Sequence, residues 1–230
     1  TMYGLKADFV RNMLVEMLPP TNLLGYEYLS VPFKYEDRTV FDLITDDRGN
    51  IIRFVATEDS TIIYQKSGNI YQQISGKLNK SEWFDILNQE VAACYKSNKK
   101  VLVGQYGKAW VSNLPIPISK PEDEPQNPSR NGEGMLLTLT PINRWYSFAS
   151  FRSPEAMDNF VCLTFKTDDV DKINFDNNNI VSKYGNAIKQ IDGTPYSYLS
   201  QLISSGNHTI KATESNVKFA AYAYGNWDRT

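Results

Sequence analysis

Three pieces of the last third of the chain, Thr194-Pro-Tyr-Ser-Tyr198, Ser204-Ser-Gly-Asn207 and Ala221-Tyr-Ala-Tyr-Gly-Asn-Trp-Asp228, decide the fold. Tyr196, Tyr198, Leu202 and Ile203 lead into the polar cluster at 204–207, which has the composition of a chain reversal. His208-Thr-Ile210 leads out, and Glu214-Ser-Asn216 turns the chain again. Val217, Phe219, Ala221 and Ala223 then alternate with Lys218, Ala220, Tyr222 and Tyr224, and a period of two in a Tyr-rich run is that of a pleated strand. This pattern alone implies a mostly β globular protein and names no function.

Working outward, the rest of the chain supports an all-β, antiparallel β-sandwich architecture. Short strand-like segments at Tyr26 to Phe33, Thr39 to Thr45, Ile51 to Ala56, Thr61 to Gln65 and Ile70 to Ile74 are separated by turn signals such as Asp46-Asp-Arg-Gly-Asn50 and Ser67-Gly-Asn69. Trp83 to Cys94 fits a helix face as well, but Asn88-Gln89 divides it into pieces of strand length, so we read strands. Leu5, Phe9, Val10, Met13, Leu14, Met17 and Leu18 recur at helical spacing before Pro19-Pro20, which makes residues 1–19 a short N-terminal helical segment. Residues 114–133 carry five prolines and the acidic Glu122-Asp-Glu124, and are expected to be a linker or loop that proteases reach first. They divide the chain into two expected packed lobes, 20–113 and 134–230.

Composition excludes several functions. The 24 basic residues against 26 acidic ones leave no basic excess for a nucleic-acid groove. No apolar run reaches the roughly 18 residues of a membrane-spanning helix. The opening Thr1-Met2-Tyr3 carries no signal peptide and reads as the start of an excised or processed piece. Cys94 and Cys162 sit in apolar strand-like runs and read as buried free thiols, although one bridge between them remains open at this stage.

The search for chemistry yields little. His208 is the single histidine, so it cannot build a zinc site with partners of its kind, and it is expected to bond a backbone group at a strand start. The glycines of Gly104-Gln-Tyr-Gly107 and Gly132-Glu-Gly134 lack the context of a phosphate loop. Asp168, Asp169, Asp171 and Asp176 offer oxygen ligands to a hard cation, which makes calcium the one candidate cofactor. Their spacing is not that of an EF-hand loop, and Asx-rich turns account for the same residues. A surface of Tyr222, Tyr224 and Trp227 is the candidate binding site, set against the alternative that these rings pack under a neighbouring strand.

Leu18-Pro-Pro-Thr21 with Leu24-Gly25 and Tyr28, then Lys100-Val-Leu-Val-Gly-Gln-Tyr106, open an ordered series of short motifs. Met135 with Leu139 and Pro141, Trp145-Tyr-Ser-Phe148 and Asp158-Asn-Phe-Val161 follow, and Gly193-Thr194, Gly206-Asn-His-Thr209 and Ala223-Tyr-Gly225 close it. In order and spacing, over residues 16 to 228, the series resembles the N-terminal domain of the IgG-Fc-binding protein family, found in animal mucus-associated proteins and in bacterial surface proteins. Members of the family continue past the equivalent of Gly225-Asn-Trp227, and the insertion from Leu114 to Gly134 is longer than their pattern. The resemblance implies a non-catalytic, secreted or cell-surface adhesion module with a glycan or host glycoprotein as partner. It does not carry IgG binding over to this chain. A structural or assembly subunit of a surface appendage is the alternative, and a glycoside-active enzyme a weaker one.

Overall fold

The computed structural model describes residues 16–34, 50–107, 135–155 and 157–226. The helical part of the expected N-terminal segment, the strand at 39–45, the proline-rich segment at 114–133 and Trp227 all lie outside the described residues. Residues 16–20, which are described, carry no helix. The described residues form fifteen strands: β1 (Gly25–Ser30), β2 (Asn50–Ala56), β3 (Ile63–Ser67), β4 (Ile70–Gln73), β5 (Trp83–Gln89), β6 (Ala93–Gly107), β7 (Met135–Thr138), β8 (Phe148–Ser153), β9 (Asp158–Lys166), β10 (Ile173–Phe175), β11 (Asn178–Asn179), β12 (Ile188–Gln190), β13 (Tyr196–Ile203), β14 (Gly206–Ala212) and β15 (Phe219–Asn226). Among the described residues a short helix, α1 (Ile180–Tyr184), begins where the Asn179 side chain accepts the Val181 amide.

The strands form three antiparallel sheets. β1 to β7 make the largest, with β6 as its spine. The N-terminal part of β6 pairs with β1 and β3, and its C-terminal part with β2 and β7. The two smaller sheets run β11-β10-β14-β8 and β12-β13-β9-β15. Trp83 to Cys94 is strand, as its composition suggests, but the break falls at residues 90–92 and not at Asn88-Gln89. Gln89 is buried because its side chain accepts the Ser30 hydroxyl and donates to the Val91 carbonyl, which holds the end of β5 in the sheet.

The β12-β13-β9-β15 sheet is a middle layer, and its central strand β9 is buried on both faces. Val161, Leu163, Phe165 and Phe219 pack against Ile173, Phe175 and Ile210 of the β11-β10-β14-β8 sheet. Ala220 from the opposite face packs with Leu29 and Cys94 of the large sheet, joined by Trp145 and Ile191. Two-sided burial explains why Asn159 to Phe165 lacks the alternation of a half-exposed strand. The boundary expected at 134 falls inside a shared sheet, since β7 pairs with β6, and the Ala220 cluster draws on both sides of that boundary.

Both cysteines are free and buried in this middle region. Burial pushes the Cys94 thiol up to about 11 and the Cys162 thiol up to about 12. The folded chain therefore holds protons that unfolded thiols release from about pH 8.5 upward. Their contribution to stability is full below that pH and is lost as the pH rises through the two folded values. The urea midpoint is expected to fall steadily above pH 9, and native protein at pH 8 is expected to resist alkylation until denaturant is added. A flat midpoint to pH 10.5 would contradict this burial.

His208 anchors the far layer. Its ring is 3% exposed, with Nε2 at 2.8 Å from the Ser204 carbonyl oxygen and Nδ1 at 2.7 Å from Asp176 Oδ2. It stacks on Phe175 with ring centres 5.4 Å apart. The expected backbone bond is present, together with a carboxylate partner that lies 32 positions away in sequence. Asp176 and Asn177 adopt positive φ values of 50° and 64°, a region that Asp and Asn enter more readily than most residues. Replacing His208 by Ala removes two partly buried hydrogen bonds and leaves a hole beside Phe175, so a loss of about 3 kcal/mol is expected in urea unfolding. A loss below about 0.5 kcal/mol would show that the clasp carries no weight.

Candidate functional site

The outer face of the large sheet is built by four strands in register. β5 contributes Trp83, Asp85 and Leu87, and β2 contributes Ile51, Arg53 and Val55. Leu102, Gly104 and Tyr106 follow on β6, then Leu136 and Thr138 on β7. Val55 lies opposite Trp83 on one side and Leu102 on the other. Arg53 lies between Asp85 and Gly104, and Ile51 beside Tyr106, which pairs in turn with Leu136. The alternate residues of the same strands, Ile52, Phe54, Val101 and Val103, fill the core beneath. These stretches are thus apolar on both faces, and among the described residues Trp83 and Leu87 stay exposed on the outer one.

Trp83 is 60% exposed and Leu87 64% exposed. The outer face of the β11-β10-β14-β8 sheet makes the contrast. It presents Ser150, Arg152, Asn207, Thr209 and Lys211, with Phe148 as its exposed aromatic. One face is that of an ordinary solvated sheet, whereas the other exposes Trp83 and Leu87 beside the half-buried Ile51, Val55, Leu102 and Tyr106, an apolar grouping of the kind found at contact surfaces.

The centre of the apolar face is an organised polar group. Arg53 Nε donates to Asp85 Oδ1 at 2.9 Å and Nη2 to Oδ2 at 2.7 Å, a bidentate pair between adjacent strands. The guanidinium carbon lies 5.5 Å from the Trp83 ring centre and 5.7 Å from that of Tyr106. Gly104 leaves room for the Tyr106 ring, since a Cβ there would stand a tight 3.3 Å from it. The hydrogen bonds from Arg53 to the Asp85 carboxylate raise the Arg53 pKa further, so the guanidinium keeps its charge. A flat, neutral, aromatic-rich face with a fixed Arg has the make-up of the energetic centre of a protein interface.

The aromatic residues singled out in sequence are placed differently. Phe219 and Ala221 face the core as their alternation suggests, but the opposite face of β15 is covered by the large sheet. The Tyr222 hydroxyl accepts the Thr140 amide at 2.7 Å, and burial raises its pKa. Tyr224 lies between Phe33 and Phe160, and its hydroxyl accepts the Lys34 amide at 2.8 Å. Both rings serve as half-buried joints between layers. The residues of the outer face left a faint signal in the sequence, namely apolar runs without alternation in strands that begin and end at turns.

The four aspartates fall in two places. Asp168, Asp169 and Asp171 sit on the 3-10 turn Thr167–Lys172, where Asp169 pairs with Lys172 at 3.3 Å. Both carboxylate oxygens of Asp176 are engaged, one by His208 and one by the Thr209 amide. Asn178 donates to the Asp176 carbonyl and Asn179 to the Asp171 carbonyl, which is the turn chemistry weighed against calcium. Among the described residues, no three His, Cys, Asp or Glu side chains converge to hold a metal ion.

The sequence profile of the IgGFc binding protein family matches residues 4–225, nearly the whole chain. The chain belongs to the IgGFc binding protein family. This is a family of binding proteins. No curated protein and no solved structure matches the chain.

The motifs that carry the family likeness are joints of the IgGFc-binding fold. The Gly25 amide donates to the Tyr28 hydroxyl, which donates to the Val101 carbonyl. Trp145 packs edge-on to Tyr196, and Thr194 donates to the Ile191 carbonyl. Gly193, at φ 64°, lies against the Gly68 turn of the β3-β4 hairpin. Of the motif Lys100 to Tyr106, by contrast, Leu102, Gly104 and Tyr106 stand on the outer face beside Arg53.

Proposed function

We propose that this chain is a non-catalytic binding module, secreted or displayed at a cell surface, that docks the protein surface of a glycoprotein partner on the outer face of its large sheet. The observation that carries the reading is the contiguous face of Trp83, Leu87, Val55, Ile51, Leu102 and Tyr106 around the neutral Arg53–Asp85 pair. Small-molecule and sugar sites are concave as a rule, whereas the described residues build this face as four adjacent strands. Membership in a family of binding proteins supports the non-catalytic reading and the extracellular setting. Family membership names no ligand for this chain, so the partner is to be found by experiment.

The test is capture of glycoproteins from an immobilised panel that includes the Fc fragment of IgG and secreted mucins. Wild-type chain and a Trp83→Ala variant are compared on intact and on enzymatically deglycosylated targets. Binding that survives deglycosylation and is lost with Trp83 supports the reading. Binding that is lost on deglycosylation and unaffected by Trp83→Ala would replace it with glycan recognition elsewhere.

A further inference from the structure

A second cluster, independent of the apolar face, lies at the other end of β6. Register places Glu27 of β1 opposite Lys96 of β6, Tyr64 of β3 opposite Lys96, and Lys66 of β3 opposite Tyr71 of β4. The Tyr71 hydroxyl donates to the Glu27 carboxylate and stands 3.5 Å from the Cys94 sulfur, whose thiol is 3.7 Å from the same carboxylate oxygen. The two lysines do not take up that carboxylate. Lys66 Nζ lies 4.9 Å and Lys96 Nζ 5.4 Å from the centre of the Tyr71 ring. Among the described residues neither ammonium has a carboxylate within salt-bridge distance.

This arrangement is unusual in a chain whose net charge is −2. Two cations are held beside one aromatic ring, while the Glu27 carboxylate, opposite Lys96 in register, is engaged by a phenol and a thiol. The bond to Glu27 fixes the Tyr71 ring, and the ring in turn steadies both ammonium groups, which lowers the ordering cost of closing them on an anion. Tyr64 adds a second half-exposed ring directly across from Lys96. We propose that Lys66, Lys96, Tyr71 and Tyr64 form a binding site for an acidic saccharide, whose carboxylate or sulfate lies between the two ammonium groups and whose ring lies against Tyr64. An acidic peptide would satisfy the lysines but would leave Tyr64 without a role. Lys96 and Leu102 are both even-numbered positions of β6, about 20 Å apart at strand rise, so one glycoprotein can span this site and the apolar face.

The experiment titrates wild-type chain with sialyllactose, a sulfated chondroitin disaccharide, neutral lactose and a tetraglutamate peptide, at low and at physiological salt. The expected result is saturable binding of one or both acidic sugars, weakened by salt, with neither lactose nor the peptide retained. The Lys66→Gln/Lys96→Gln double variant is expected to lose about tenfold or more in affinity while keeping its melting temperature. Trp83→Ala is expected to leave sugar binding unchanged, which separates this site from the protein-docking face. Absence of binding by both acidic sugars, equal binding by the double variant, or equal binding of the peptide would each overturn the proposal.

Discussion

Replacing Gly193 by Ala is expected to cost about 4 kcal/mol and to lower the melting temperature by about 10 °C. The reason is a contact between turns. A Cβ on Gly193 would stand 2.2 Å from the Gly68 carbonyl oxygen, a backbone atom that cannot move without shifting the β3-β4 hairpin. Gly193 also holds a left-handed φ of 64°, which adds about 1 kcal/mol of strain for an alanine. Gly68 provides the control from the other side of the same joint. Its φ is 55°, but a Cβ there meets nothing within 4 Å, so Gly68→Ala is expected to cost only the backbone strain of about 1 kcal/mol. Urea unfolding of the two variants measures the difference. Equal losses would show that the contact between the turns does not hold the large sheet to the middle one.

The second large effect is on binding. Trp83→Ala is expected to lower affinity for the captured partner by at least about 30-fold, roughly the 2 kcal/mol of an interface hot spot. Stability is expected to change by less than about 1 kcal/mol, because the indole is mostly in water and the core side of β5 is built by Phe84 and Ile86. Arg53→Lys probes the same centre in another way. It keeps the charge but loses the bidentate fork to Asp85, so it is expected to weaken binding by a smaller factor than Trp83→Ala. A melting temperature that falls together with affinity for Trp83→Ala would place the indole in the fold and not in the interface. The pair of readouts therefore separates the two roles.

Much of the architecture was legible in the sequence because it depends on local pattern. The period-two runs at 196–203, 206–212 and 219–226, and the turns at 204–205 and 214–216, are local facts, and the strands formed where they indicate. The site was less legible. Arg53 and Asp85 meet 32 positions apart, and Tyr106 joins them through a third strand, so the group exists only once the register is set. Alternation likewise told that Tyr222 and Tyr224 share a face of β15, but not that another sheet would cover that face. Asp176 read as a possible cation ligand because its partner, His208, is distant in sequence and near only across the β10-β14 ladder. Gly25, Trp145 and Gly193 of the family motifs likewise join strands and turns that pattern alone leaves apart, whereas Leu102, Gly104 and Tyr106 of another motif stand on the outer face.

The most direct test of the docking face is hydroxyl-radical footprinting of the free chain and of the chain bound to the glycoprotein it captures. Trp83 and Leu87 are open in the free chain and are expected to be modified readily there, then protected in the complex together with Tyr106. Phe148, exposed on the β11-β10-β14-β8 sheet, is expected to be modified equally in both states. Protection of Phe148 with Trp83 and Leu87 still open would place the partner on the other face and contradict the assignment.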